Sequence, residues 1–272
     1  MTATCPPALT NELLLTLGIR NCRIIRAPTN RPEISYNVDM SKTISEARKK
    51  LVTAIEARKA TFSPTSRGLV YCRGRKTTET IAELIGCKPF HSNRPVDERK
   101  ATFTDWVAGK EQFIVSTSLL GCGIDVDGVE VVYHFQTPHD LMGYVQESGR
   151  AGRRGDWAES WVFASEEDWE SDDPTDHFGR EAMRKWVRLT SSCRRIEISS
   201  FLDGRVTTCM LLPGANLCDV CKKQAKEQHP RRPVEINVTP PTYVPKIGPL
   251  PPVPPPSIEY ARERLEAPPV QK

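Results

Sequence analysis

Two arginines three residues apart stand among three glycines in the string Gln146-Glu147-Ser148-Gly149-Arg150-Ala151-Gly152-Arg153-Arg154-Gly155. On a helix end or a tight turn, that spacing lets Arg150 and Arg153 point the same way. Guanidinium groups suit phosphate oxygens because they are planar, permanently charged and able to donate two parallel hydrogen bonds. Glycines without a Cβ let the backbone come close, so both side chains can reach one ligand. Taken alone, the string also fits a solvated basic turn.

A second group is Cys193, Cys209, Cys218 and Cys221. Cys218-Asp219-Val220-Cys221 is a CxxC turn able to present two thiolates to one metal, and Cys209 and Cys193 lie 9 and 25 positions before Cys218. Four thiolates suit a tetrahedral structural zinc site. Buried free thiols or a redox pair are the alternative. Four thiolates around Zn²⁺ leave about two negative charges, which Arg194, Arg195, Lys222 and Lys223 are placed to offset. The remaining cysteines, Cys5, Cys22, Cys72, Cys87 and Cys122, read as structural.

The elements that must position these groups come from periodicity. Gly68–Cys72, Gln112–Ser116, Val129–Phe135 and Ser160–Ala164 are short apolar runs that read as strands. Thr77–Ile85 reads as a helix with Ile81, Leu84 and Ile85 on one face, and Pro138–Glu147 as another. Pro95–Ala108 is a third, opened by Pro95 and stopped by Gly109. Strands alternating with helices of this length imply βαβ units, hence an α/β fold with a parallel sheet covered on both faces. Ligands gather beyond the carboxyl ends of such strands. Ahead of this region, Pro6–Leu17 reads as helix and Cys22–Ala27 as a lone strand. From Pro230 onward the chain holds 13 of its 23 prolines, which favours extended polyproline II structure and cannot build a core.

The arginine string resembles motif VI of superfamily 2 helicases, in the QExGRAGRxG form of the RecQ family. Gly68-Leu69-Val70-Tyr71-Cys72-Arg73-Gly74-Arg75-Lys76 resembles motif IV, and Ile114 to Asp125 resembles motif V. Thr2-Ala3-Thr4 before Pro6-Pro7 looks like the end of motif III, and Cys193-Arg194-Arg195 is similar to the family's zinc-binding segment. The resemblance covers roughly residues 1–225, in the family's motif order. A departure is Cys122, where the family often has a bulky residue.

The resemblance implies four parts. Residues 1–40 are the end of a first RecA-like lobe and its linker, crossing at Asn30-Arg31-Pro32. Residues 41–166 are the second RecA-like lobe, 167–228 a helical zinc-binding segment, and 229–272 a disordered proline-rich tail. It also assigns roles. Arg150 and Arg153 stabilise charge on nucleotide phosphates, and Gln146 couples nucleotide state to DNA. Asp125 and Gly123 contribute to the ATP site, with Asp125 touching ribose or ordering the arginines. Arg75, Lys76, His91, Asn93, Arg99, Ser116 and Thr117 track a DNA backbone without reading bases.

The expected whole is an ATP-dependent 3′-5′ DNA helicase acting in the nucleus on single strands and junctions. The sequence holds no GxxxxGK[ST] string and no DExH box; its one Gly-Lys pair, Gly109-Lys110, is followed by Glu111. ATP and Mg²⁺ are therefore expected only with a complementary first lobe, which could act in trans, and a shortened gene product fits Met1 at motif III. No winged-helix pattern follows Cys221. A DNA- and zinc-binding module without catalysis, or a decayed helicase fragment, are the rival readings; a DEAD-box RNA helicase is disfavoured by the Gln146-Glu147 start and the cysteine block.

The formal net charge of +4 is compatible with a polyanion partner. No secretory signal and no apolar run of about 18 residues are apparent, so an intracellular chain without a membrane partner is expected. PxxP spacing in the tail offers a ligand for an SH3 or WW domain.

Overall fold

A computed structural model of the chain describes residues 4–121, 125–169 and 178–227. All of them belong to one unit, Met1–Pro240, while a second, Pro241–Lys272, lies outside them. The proline-rich tail, Cys122 and Gly123 are thus outside the described residues. Among those described, no helix is long and apolar enough to cross a membrane.

In chain order the elements are α1 (Thr10–Thr16), β1 (Ile34–Ser41), α2 (Ile44–Lys59), β2 (Arg67–Cys72), α3 (Arg75–Leu84), β3 (Pro89–Phe90), α4 (Val96–Val107), β4 (Phe113–Ser116), β5 (Val129–Phe135), α5 (Leu141–Ser148), β6 (Ala158–Ser165), α6 (Arg180–Val187), α7 (Arg194–Asp203) and α8 (Asp219–Glu227). The six strands form one sheet in the order β1-β6-β5-β2-β4-β3, and every pairing is parallel.

Side-chain alternation along the strands separates two cores. Leu69, Tyr71, Ile114, Val132 and Val162 face one side, where they meet Trp106 of α4, Leu141, Tyr144 and Val145 of α5, and Met183, Trp186 and Ile198 of α6 and α7. Val70, Cys72, Val115, Tyr133 and Phe163 face the other, against Leu51 and Ile55 of α2 and Ile81 of α3. Close packing shows at Gly68, where a Cβ would lie 2.1 Å from the Phe113 ring. The α/β sheet with helices on both faces is as the sequence implies.

Four local expectations need correction. Cys22–Ala27 forms no strand: nothing pairs with it in the sheet, and Ile25 is 82% exposed. Cys22 is likewise exposed, so it has no place in a core. Leu84 leaves the buried face of α3 to Thr78, Ile81 and Ala82, and is itself exposed. Finally, α5 starts at Leu141 and not at Pro138, because the Asp140 carboxylate caps it by accepting from the Gly143 amide at 2.7 Å.

β1 and α2 were not anticipated as elements. β1 pairs with β6 from Ile34 onward, ahead of the boundary expected at residue 41. Thr43 opens α2 by accepting from the Glu46 amide at 3.1 Å, a capping pattern visible in Thr43-Ile44-Ser45-Glu46.

Candidate arginine loop, nucleic-acid edge and cysteine cluster

After α5 the chain turns tightly, with the Gly149, Arg150 and Ala151 amides donating to Val145, Glu147 and Ser148 carbonyls. The Gly152 amide then donates to the Val129 carbonyl at 3.0 Å, pinning the loop to the first residue of β5. Gly152 has φ +61°, and a Cβ there would stand 2.7 Å from the Asp156 carbonyl oxygen. Only glycine fits that position without strain.

Arg153 is ion-paired with Asp125, and Arg154 with Asp127, both just upstream of β5. Arg150 and Arg153 both act on the buried Tyr71 phenol: burial and the Glu147 carboxylate push its pKa up, and the two arginines pull it back. The fold therefore sets Arg153 against Asp125 and brings Arg150 and Arg153 to one phenol. Gln146 is exposed on α5 and donates to the Thr4 hydroxyl.

Sequence reasoning missed the residue that shapes this loop. The Arg31 guanidinium donates to the carbonyls of Gly149 at 2.9 Å, Ala151 at 3.0 Å and Gly152 at 2.9 Å, while its Nε pairs with Glu33. Charged donors on these three carbonyls fix the backbone on either side of Arg150 and just before Arg153. The lone signal was an arginine inside Asn30-Arg31-Pro32, where proline stiffens the backbone after it.

The residues expected on nucleic acid collect at the carboxyl ends of β2, β4 and β3. Arg75 and Lys76 open α3 and are exposed, as is Asn93; Thr117 and Arg99 are half-buried. His91 and Ser116 are different. Both lie inside, at 2% and 0% exposure, with His91 3.2 Å from Glu79 and the Ser116 hydroxyl donating to the Thr117 carbonyl at 2.6 Å. Their side chains support the edge and do not present themselves to a ligand.

A cavity of about 70 Å³ opens between the ends of β2 and β5, lined by Tyr71, Arg73, Ser118, His134, Gln136 and Glu147 among others. His134 donates through Nε2 to the Glu147 carboxylate at 3.0 Å and stacks on Tyr71 with centroids 5.3 Å apart. In the fold, Arg153 and its loop sit at the amino end of β5, and the Tyr71–His134–Glu147 contact joins that loop to the carboxyl edge.

The four cysteines converge. Their sulfurs all lie within 4.8 Å of one another, and all four residues are buried. Cys193 and Cys209 Sγ are 3.5 Å apart, and Cys218 and Cys193 Sγ 4.0 Å. Those separations exclude a disulfide, which needs about 2.05 Å. They match the roughly 3.8 Å between sulfurs that each sit about 2.3 Å from one tetrahedral ion.

Backbone amides of Cys209 and Cys218 donate to Cys193 and Cys209 sulfurs, each at 3.3 Å, which favours thiolate. Interaction with the Cys193 thiol is the first cause that drives Cys209 well below the ordinary thiol range and lowers Cys218 to about 6. A buried all-sulfur set with amide donors is one that could hold a metal ion.

The expected charge offset by Arg194 and Arg195 is not what the fold does with them. Arg194 grips Asp219 bidentately, with Nη2 to Oδ2 at 2.8 Å, and stacks over Trp186. Arg195, at 0% exposure, donates to backbone carbonyls of Arg31 and Ile34 at 2.9 and 2.7 Å and lies over the Tyr36 ring. Arg194 is thus engaged by a carboxylate and Arg195 by carbonyls, and they tie the cysteine segment to β1.

Comparison with known proteins agrees with this geometry. The family described as "Helicase conserved C-terminal domain" matches residues 46–155. ATP-dependent DNA helicase hus2/rqh1 of Schizosaccharomyces pombe is 26% identical over 83% of this chain and 18% of its own length. ATP-dependent helicase SGS1 of Saccharomyces cerevisiae is 31% identical over 58% of this chain and 11% of its own. RecQ-like DNA helicase blm-1 of Caenorhabditis elegans is 29% identical over 57% and 16% respectively.

This chain thus spans less than a fifth of the length of each of these curated relatives. Among solved structures, the DEAD-box helicase Mss116 bound to ssRNA and UDP-BeF superposes with a TM-score of 0.53 at 17% identity. That match covers 61% of this chain and 36% of Mss116, and it speaks for the fold alone.

Proposed function

The chain is the C-terminal portion of a RecQ-like superfamily 2 helicase, and from that premise we propose that it supplies half of an ATP-dependent 3′-5′ DNA-unwinding motor. The observation that carries this reading is the arginine loop: Arg150 and Arg153 three residues apart, Arg153 held by Asp125 and the backbone around them fixed by Arg31.

A guanidinium placed this way stabilises charge that develops on phosphoryl oxygens, a role worth on the order of 10³–10⁵ in rate. Asp125 holds the Arg153 fork in one orientation, so little ordering remains when a phosphate arrives. A phosphate-cradling loop and a carboxylate for Mg²⁺ belong to the facing lobe, because this sequence has neither motif.

Arg75, Lys76, Asn93, Arg99 and Thr117 bind the sugar-phosphate backbone of single-stranded DNA at the carboxyl edge. Cys193, Cys209, Cys218 and Cys221 hold a structural zinc ion, which locks α7 and α8 against β1. A nuclear site of action follows from this role. The rival reading, a binding module without catalysis, shares the DNA edge and the metal and differs only in whether the arginines ever meet a nucleotide.

The DNA edge is tested by titrating labelled single-stranded DNA against the chain over a range of salt. Affinity should fall linearly with the logarithm of salt concentration. The Arg75→Ala/Lys76→Ala double variant should flatten that slope by about 1.4, or ~0.7 for each lost phosphate contact. An unchanged slope would remove Arg75 and Lys76 from the interface.

A further inference from the structure

The cysteine cluster and the arginine loop are far apart in sequence, yet one short stretch of backbone touches both. Residues 31–34 cross from the N-terminal segment into β1. From one side they are gripped by the cysteine segment. Arg195, second residue of the helix that Cys193 caps, donates to the carbonyls of Arg31 at 2.9 Å, Pro32 at 3.4 Å and Ile34 at 2.7 Å.

Asn216, two residues before Cys218, adds its amide to the Pro32 carbonyl at 2.8 Å and its side-chain nitrogen to the Glu33 carbonyl at 2.6 Å. The Asn216 carbonyl also accepts from Arg195 at 3.3 Å.

On the other side, the Arg31 side chain leaves this stretch to hold the carbonyls of Gly149, Ala151 and Gly152. The Glu33 carboxylate steadies that guanidinium through its Nε. Apart from the Arg31–Glu33 pair, every link is a hydrogen bond from a charged or amide donor to a backbone carbonyl.

Arg195 among the described residues has no carboxylate partner, only carbonyls and the Tyr36 face 5.1 Å away. A fully buried guanidinium is costly unless its donors are used. It therefore keeps its place only while residues 31–34 and Asn216 stay where they are. Cys193 and Cys218 flank those two anchors in sequence, so ordering the four sulfurs around one ion orders Arg195 and Asn216 together.

We propose that Arg31 and Arg195 form a two-arginine clamp through which occupancy of the four-cysteine site sets the position of Arg150 and Arg153. This rests on the reading that the cysteines take zinc and that the two arginines serve a nucleotide. Arg31 and Arg195 are positioning residues in it: neither is placed to touch the nucleotide. Loss of the ion loosens Arg195 and Asn216, residues 31–34 lose their outer grip, and the Arg31 fork no longer holds the loop carbonyls. Coupling of this kind is reciprocal, so an anion held by Arg150 and Arg153 tightens the hold on the ion.

Hydrogen exchange tests this without any enzymatic readout. The full chain is examined zinc-loaded, after chelation, and as Arg31→Gln and Arg31→Lys loaded with zinc, with bound zinc measured in each. The amides of residues 149–155 should exchange about tenfold faster on chelation and in Arg31→Gln, while those of 69–72 and 114–116 in the central strands hold their rates. Arg31→Gln should retain its zinc. Arg31→Lys should fall between, because a compact ammonium cannot span three carbonyls as a planar fork does.

The clamp is overturned if the 149–155 amides are indifferent to chelation or to Arg31→Gln. It is equally overturned if chelation accelerates the central strands as much as the loop, which would make the ion a support of the entire fold. A chain that takes up no zinc would remove the metal reading itself, and Arg31→Gln would then show separately whether Arg31 holds the loop.

Discussion

At the scale of single residues, burial decides which candidate side chains can act. His91 and Ser116 have the residue types for backbone recognition, but they are buried, whereas Arg75 and Lys76 are exposed and Thr117 is half-buried. Neither inward turn is written in the local sequence, because His91 follows β3 and Ser116 ends β4, strands whose inside and outside are set by α3 and α4.

Burial also shapes the titration of the core. Cys72, 4% exposed, has its thiol pushed up to about 12 by desolvation, and Tyr71 and Tyr144 move the same way for the same reason. An acid whose folded pKa lies above its unfolded one binds more protons when folded, so stability falls as pH rises between the two values. Urea midpoints should therefore hold near neutrality and decline from about pH 9 toward about pH 12. A midpoint that stays flat through this window would show that Cys72 and the tyrosines ionise freely in the fold.

At the scale of elements, the arginine loop depends on one backbone conformation. Gly152 combines φ +61° with a carbonyl oxygen 2.7 Å from where a Cβ would sit. Gly152→Ala should cost about 1–3 kcal/mol by thermal unfolding. It should also displace the carbonyls that Arg31 holds; an alanine variant as stable as the parent would mean that the loop relaxes at no cost.

Elements with strong local signals were legible in advance. β2, β4, β5 and β6 are each built on a short apolar run, and α4 is bracketed by Pro95 and Gly109. β1 was hidden because Ile34-Ser35-Tyr36-Asn37-Val38-Asp39 mixes polar residues that become buried only where α8 covers the edge. Asp219 accepts from the Val38 amide and Lys222 donates to the Ser35 hydroxyl. The opposite error at Cys22–Ala27 has the same origin: an apolar run without a neighbouring strand has nothing to pair with.

At the scale of the whole molecule, two surfaces on one sheet are served by separate ends of its strands. DNA candidates lie at the carboxyl edge, Arg153 lies at the amino end of β5, and Tyr71, His134 and Glu147 pack between them. The motif order in the sequence made the residue set legible, including Arg150, Arg153, Asp125 and the four cysteines. It did not reveal Arg31 or the task of Arg195, because those are contacts across more than a hundred residues of chain.

The central claim is that the arginines complete a phosphate site lying on another lobe. Its most direct measurement is DNA-stimulated ATP hydrolysis by this chain alone, mixed with a separately expressed lobe carrying GxxxxGK[ST] and DExH motifs, and mixed likewise as Arg153→Ala. The account predicts no turnover alone, turnover in the mixture, and a loss of about 10³-fold or more in the variant mixture. Hydrolysis by the chain alone that Arg153→Ala abolishes would contradict it, since a complete phosphate site would then lie within these residues.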